Sequence, residues 1–118
     1  MARILVIDDE DIVREMLREL LEHEGHEVFE ASDGKVGIEN YKQQPADLII
    51  TDIMMPEKDG FQTIRELKAT QPDVKIIALT GFGLHNLPVA YDLGADRVFE
   101  KPFIQKEFLQ VIRELLEE

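Results

Sequence analysis

The chain has 118 residues and no cysteine, with 13 lysines and arginines against 25 aspartates and glutamates, a net charge of −12. A domain of this length buries roughly two-thirds of its unfolded surface, the lack of thiols excludes disulfide and thiolate chemistry, and so acidic a surface repels nucleic acid and anionic membrane. No apolar run approaches the roughly 18 residues of a membrane span and Met1-Ala2-Arg3 leads into no apolar leader, so the expectation is one soluble cytoplasmic domain over residues 1–118.

Ile4 to Ile7 is a continuous apolar run with β-branched residues, the mark of a strand buried on both faces. It ends at the acids Asp8-Asp9-Glu10-Asp11, which suit the N-terminus of a helix running from Ile12 to Glu24. Val13, Met16, Leu17, Leu20 and Leu21 recur there at helical spacing, and Gly25 supplies the stop. The pattern repeats with a strand over Glu27 to Ala31, a turn at Asp33-Gly34 and a weaker helix over Lys35 to Gln43, which has Ile38 and Tyr41 inward and Gly37 in its interior. A third strand covers Leu48 to Thr51. A loop with Pro56 and Gly60 follows, then a helix placing Phe61, Ile64 and Leu67 on one side, broken at Pro72-Asp73. Val74 to Leu79 is a fourth strand, Leu87 to Leu93 a short helix with Pro88 in its first turn, and Arg97 to Phe99 a fifth strand. The last helix starts near Gln105 and buries Phe108, Leu109, Ile112, Leu115 and Leu116.

Strands alternating with helices predict an α/β fold, a parallel sheet covered by helices on both faces. Alternation leaves strand order open, but chemistry in such sheets sits beyond the carboxyl ends of the strands. Asp8 and Asp9 follow the first strand, Asp52 the third, Thr80-Gly81 the fourth and Glu100-Lys101-Pro102 the fifth. Singly, each has an ordinary explanation: a helix cap for Asp8, Asp9 or Thr80, a turn residue for Asp52, a solvated charge for Lys101. Together they are three carboxylates on one edge, which repel unless a cation or a proton relieves them, and Mg2+ prefers oxygen ligands of this kind. A lysine and a threonine hydroxyl across the same crevice suit an anionic, phosphoryl-bearing substrate. His23, His26 and His85 lack metal-ligand spacing and read as surface residues.

The segments Ile4 to Asp9, Asp47 to Gly60 (DLIITDIMMPEKDG), Ile76 to Gly81 and Phe99 to Phe103 (FEKPF) resemble the signature stretches of response-regulator receiver domains over essentially the whole chain. The resemblance implies a CheY-like, flavodoxin-like sheet of five parallel strands in the order 2-1-3-4-5, flanked by five helices. It implies Asp52 as phosphoacceptor and Asp8, Asp9, Asp52 and the Met54 backbone carbonyl as Mg2+ ligands. Lys101 would pair with Asp52 and later with the phosphoryl oxygens, Thr80 and Phe99 would form a switch pair, and Pro102 would follow a cis peptide. The implied partners are a sensor histidine kinase or phosphotransfer protein upstream and an effector protein or attached output domain downstream. A homodimer formed on phosphorylation is a further implication, with no direct contact to nucleic acid or membrane. Such a domain is no enzyme in the ordinary sense, since it catalyses only its own phosphorylation and dephosphorylation. The interval from Thr80 to Gly94 is one residue shorter than in most receivers. Met54 and Phe82 would flank the hydrolysing water without an acid or amide to orient it, which implies slow self-dephosphorylation.

Three readings compete. A flavin-binding protein of similar architecture would want hydroxyls and glycines after the first strand, where Asp8-Asp9-Glu10-Asp11 would repel its phosphate. A phosphatase of the haloacid-dehalogenase type would carry its nucleophile there in a DxD pattern. The third is a receiver-like scaffold that never takes phosphate.

Overall fold

Residues 2–53, 60–81 and 87–117 are described by a computed structural model, with the side chains of 87–89 left aside. The apolar runs become β1 (Arg3–Ile7), β2 (Glu27–Ala31), β3 (Leu48–Asp52), β4 (Lys75–Thr80) and β5 (Arg97–Glu100). Between and after them lie α1 (Asp11–His23), α2 (Gly34–Gln43), α3 (Gly60–Thr70), α4 (Leu87–Leu93) and α5 (Gln105–Glu117). The strands form one five-stranded sheet in the order β2-β1-β3-β4-β5, and every pairing is parallel. The expected order therefore holds.

Burial on both faces explains why the strands read as unbroken apolar runs. Leu5, Ile7, Ile49, Ile76 and Ala78 point to a core closed by Tyr41 of α2, Ile64 and Leu67 of α3 and Ala90 of α4. Ile4, Val6, Leu48, Ile50, Ile77 and Leu79 point the other way, to Leu17 and Leu21 of α1 and Phe108, Ile112 and Leu115 of α5. Each large side chain so buried contributes roughly 1.5–3 kcal/mol relative to exposure. Met16, grouped by its spacing with the apolar stripe of α1, instead lies on the surface at 37% exposure, because the core contact of α1 runs through Leu17 and Leu21, with Val13 and Leu20 packed beside them.

The helix ends follow local chemistry. Gly25 adopts φ +91 and donates its N–H to Glu22 O, while His26 N–H reaches back to Leu21 O, the paired bonds of a Schellman ending. Gly94, at φ +121, closes α4 in the same way, through Gly94 N–H to Tyr91 O and Ala95 N–H to Ala90 O. Asp33 caps α2 with its side chain, accepting from Val36 N–H at 2.9 Å. Inside α2, Gly37 packs directly on Ile7: a Cβ there would come within 2.4 Å of the Ile7 Cδ1. That close approach of helix to sheet explains a glycine at a position where helix propensity disfavours it.

Candidate functional site

Parallel pairing brings the carboxyl ends of β1, β3, β4 and β5 to one edge, with Ile7 opposite Thr51, Asp52 opposite Leu79 and Thr80 opposite Glu100. Asp8 extends β1 by one residue, donating its N–H to Ala31 O at 3.1 Å, and is fully buried. Asp52 is the last residue of β3, one residue further than the sequence suggests, and is only 4% exposed. Thr80 ends β4, also buried. The Lys101 N–H donates to Thr80 O at 2.7 Å, which ties the end of β5 to that of β4, and the Lys101–Pro102 peptide is cis.

The Lys101 ammonium crosses the crevice. Its Nζ donates to Asp8 Oδ2 at 3.1 Å, Asp52 Oδ2 at 3.3 Å and Glu10 Oε1 at 3.4 Å. Burial opposes the lysine's charge, but the carboxylates of Asp52 and Asp8 outweigh it and hold Lys101 above its ordinary pKa. Asp8 is held above the usual carboxylate range, chiefly because burial desolvates it. Its bond from Glu10 N–H, at 2.9 Å to Oδ1, and the nearby ammonium act in the opposite direction.

Carboxylate oxygens from Asp8, Asp9, Glu10 and Asp52 lie within 4.8 Å of one another. Four hard oxygen donors, two of them buried and costly to ionise alone, make a donor set that fits a divalent cation of the magnesium type. The capping alternative does not apply to Asp8, since the N-cap of α1 is Glu10 and that residue's own side chain makes no capping bond.

Of the residues singled out in the sequence, Asp8, Asp9, Asp52 and Lys101 converge here. Thr80 lies on the neighbouring strand end. Phe99 sits in β5 on the α5 side, edge-on to Phe108 at 5.1 Å and to Phe103 at 6.0 Å between ring centroids. Met54, Phe82 and His85 lie outside the described residues. His23 is exposed, but His26 is half-buried, its Nδ1 accepting from Ala2 N–H at 3.2 Å. Glu10 was legible only as one acid in a run of four, and its reach to Lys101 depends on the path of the β5 to α5 turn. Gly60 is a further contributor: a Cβ on it would lie 2.3 Å from Asp52 O and 2.4 Å from Ile53 Cα, so the start of α3 rests against the peptide that carries Asp52.

The response regulator receiver domain family matches residues 4–113. Response regulator MprA of Mycobacterium leprae is 40% identical over 115 residues, 97% of this chain and 50% of that protein. The chain thus spans about half the length of the curated relatives it matches. Among solved structures, a response regulator receiver domain protein from Clostridium thermocellum superposes with a TM-score of 0.93 at 34% identity, covering 99% of this chain and 95% of its own. Chemotaxis protein CheY4 of Vibrio cholerae gives a TM-score of 0.90 at 26% identity, covering 98% of each chain. An acidic cluster like this one is typical of receiver magnesium sites. No helix among the described residues is long and apolar enough to cross a membrane. Sequence, topology and the acidic crevice agree, and the chain belongs to the response regulator receiver domain family, the CheY-like signalling modules of two-component systems, which are not conventional enzymes.

Proposed function

We propose that this domain is a phosphorylation-controlled switch in which Asp52 accepts a phosphoryl group from the phosphohistidine of a sensor histidine kinase or phosphotransfer protein. The observation that carries this reading is the Lys101 ammonium, which donates to both Asp8 and Asp52 across a crevice of otherwise repelling acids. Phosphoryl transfer asks chiefly for an in-line nucleophile and for neutralised equatorial oxygens. An oxygen of Asp52 attacks phosphorus, the P–N bond breaks, and its electron pair leaves on the donor imidazole, which takes up a proton. Asp8, Asp9 and Asp52 would hold Mg2+, which when bound neutralises phosphoryl charge. The Met54 carbonyl assigned to that set lies outside the described residues. Lys101 stays beside Asp52 and offsets the added charge.

The acyl phosphate adds about 1.5 to 2 negative charges and three acceptor oxygens. The Thr80 hydroxyl turns toward them as a donor, and Phe99 rotates into the space vacated, which shifts the population between two packings of the β4–β5 edge. The readers of that change are an effector protein, an attached output domain or a second copy of the chain. A cytoplasmic setting fits a kinase donor and Mg2+.

Beside the crevice lies an apolar cleft of about 350 Å³, lined by Val13, Met16, Pro102, Phe103 and the same Lys101. Ile12 and Ile104, on α1 and on the turn before α5, are 81% and 62% exposed. Apolar surface next to the acceptor suits the helix that bears a kinase's phosphohistidine. Ile12→Asp should slow transfer from a kinase and leave labelling by acetyl phosphate unchanged.

The test of the whole reading is intact-mass measurement after incubation with Mg2+ and acetyl phosphate. One phosphoryl adduct, dependent on Mg2+ and absent from Asp52→Asn, is expected. No adduct, with a kinase as well as with acetyl phosphate, would leave a scaffold that never takes phosphate.

A further inference from the structure

We propose that Arg14 is a positioning residue for the magnesium site, acting through the backbone of Asp8; this role rests on the metal reading above. The turn from Asp8 to Glu10 has to hold three carboxylates close together against their mutual repulsion, and its helix cap contributes no side-chain bond. Besides the Lys101 ammonium at its Oδ2, three ties within β1, β2 and α1 and the turn between β1 and α1 fix Asp8. Its N–H donates to Ala31 O at 3.1 Å, its Oδ1 accepts from Glu10 N–H at 2.9 Å, and its carbonyl oxygen accepts from Arg14 Nη1 at 2.6 Å. The Arg14 side chain is only 14% exposed.

The other arms of the same guanidinium are also engaged. Nε donates to Glu30 Oε1 of β2 at 3.2 Å, and Nη2 pairs with Asp11 in the first turn of α1. Glu30 is held in turn by Arg18 Nε. One rigid planar fork thus joins the strand end, the helix start and the neighbouring strand, a geometry that the point charge of lysine cannot reproduce. Its positive charge is spent on Glu30 and Asp11, so Arg14 supports the acids from behind, whereas Lys101 meets them inside the crevice. Groups that orient ligands in this way typically govern metal affinity by about 10–100-fold.

Arg18 provides the discriminating control. It shares Glu30 with Arg14 and pairs with Glu22 at 3.0 Å, but makes no bond to the Asp8 turn. Mg2+ binding to the unphosphorylated chain is to be measured by calorimetric titration for wild type, Arg14→Lys, Arg14→Ala, Arg18→Met and Asp9→Asn, each checked for folding by circular dichroism. Both Arg14 variants should bind Mg2+ roughly tenfold or more weakly, with the amide resonances of Asp8, Asp9 and Glu10 displaced. Arg18→Met should keep wild-type affinity even where its thermal midpoint falls. If Arg14→Ala does not fold, Arg14→Lys carries the comparison. A folded Arg14→Lys within twofold of wild-type affinity, or an Arg18→Met equally weakened, overturns the role while leaving the metal site standing. A wild type that binds no better than Asp9→Asn overturns the metal site and this role together.

Discussion

Lys101 and Asp52 lie 49 residues apart in the chain, yet the lysine Nζ stands 3.3 Å from the aspartate Oδ2. The contact is made possible by the β5 end, where Lys101 N–H is tied to Thr80 O. Preorganised donors at a developing charge are commonly worth about 10²–10³ in rate. Lys101→Ala should therefore slow adduct formation at saturating acetyl phosphate by roughly that factor, measured by intact mass against time. A rate within threefold of wild type would remove Lys101 from the chemistry.

For Asp8, a proposed cation ligand, burial carries a cost in the metal-free fold. Its pKa is raised above 3.8, so the native state holds a proton more readily than the unfolded chain does. For a group shifted in that direction the ionised form is a penalty at neutral pH, relieved as pH falls through the raised value. Asp8→Asn should accordingly melt higher than wild type in chelator at pH 7, each kcal/mol relieved being worth roughly 2–8 °C. Added Mg2+ should stabilise wild type and not the variant. A lower melting temperature for Asp8→Asn in chelator would contradict the sign.

Gly60 allows α3 to rest against the Asp52 peptide, with no room for a methyl group between them. Because the obstructing atoms are backbone, relief requires either the strand end or the helix start to move. Gly60→Ala should cost about 1–3 kcal/mol in denaturant melts, with adduct formation slowed as Asp52 is displaced. Unchanged stability together with unchanged labelling would show that the edge yields freely.

At Gly37 the obstacle is a side chain, Ile7 Cδ1, and the remedy follows from that. Gly37→Ala gains helix propensity of up to about 1 kcal/mol but overpacks the Ile7 contact. Alone it should destabilise; combined with Ile7→Val, which removes the obstructing methyl, it should recover most of the loss. Additive penalties in the double variant would refute the contact as the cause.

His26 is kept neutral by partial burial, which lowers its pKa from 6.5, and it accepts the Ala2 N–H through Nδ1. The unfolded chain then binds the proton more readily, so stability is full above pH 6.5 and declines as pH falls, levelling off below the depressed native value. His26→Asn, whose side-chain oxygen can accept the same bond, should lose less stability than wild type between about pH 7 and pH 5. Parallel curves for the two proteins would sink the assignment.

These cases show where the sequence was readable. Runs such as Leu48 to Ile50 announce themselves because both faces of each central strand are buried, and Asp8, Asp52, Thr80 and Lys101 were visible because strand ends mark the crevice. What the sequence left unread depends on tertiary contact. Met16 fits a helical stripe but lies beyond the core face, Gly37 looks like a helix defect until Ile7 is placed beneath it, and His26 reads as surface until Ala2 crosses it. Arg14 and Glu10 were hidden in plain charge patterns, since nothing local distinguishes a solvated arginine from one that braces an Asp8 carbonyl.

Under the switch role proposed for Phe99, its packing with Phe103 and Phe108 would limit signalling noise. Phe99 meets the other two rings edge-on, and each such contact is worth about 0.5–1.5 kcal/mol beyond burial. The proposed rotation, in giving up both contacts, would be disfavoured in the unmodified molecule by roughly 5- to 150-fold. On that proposal, basal output is bounded by how Phe99 packs against α5 and the turn before it, and Phe103→Leu, in that turn, would set how leaky the silent state is while Asp8, Asp52 and Lys101 stay unchanged.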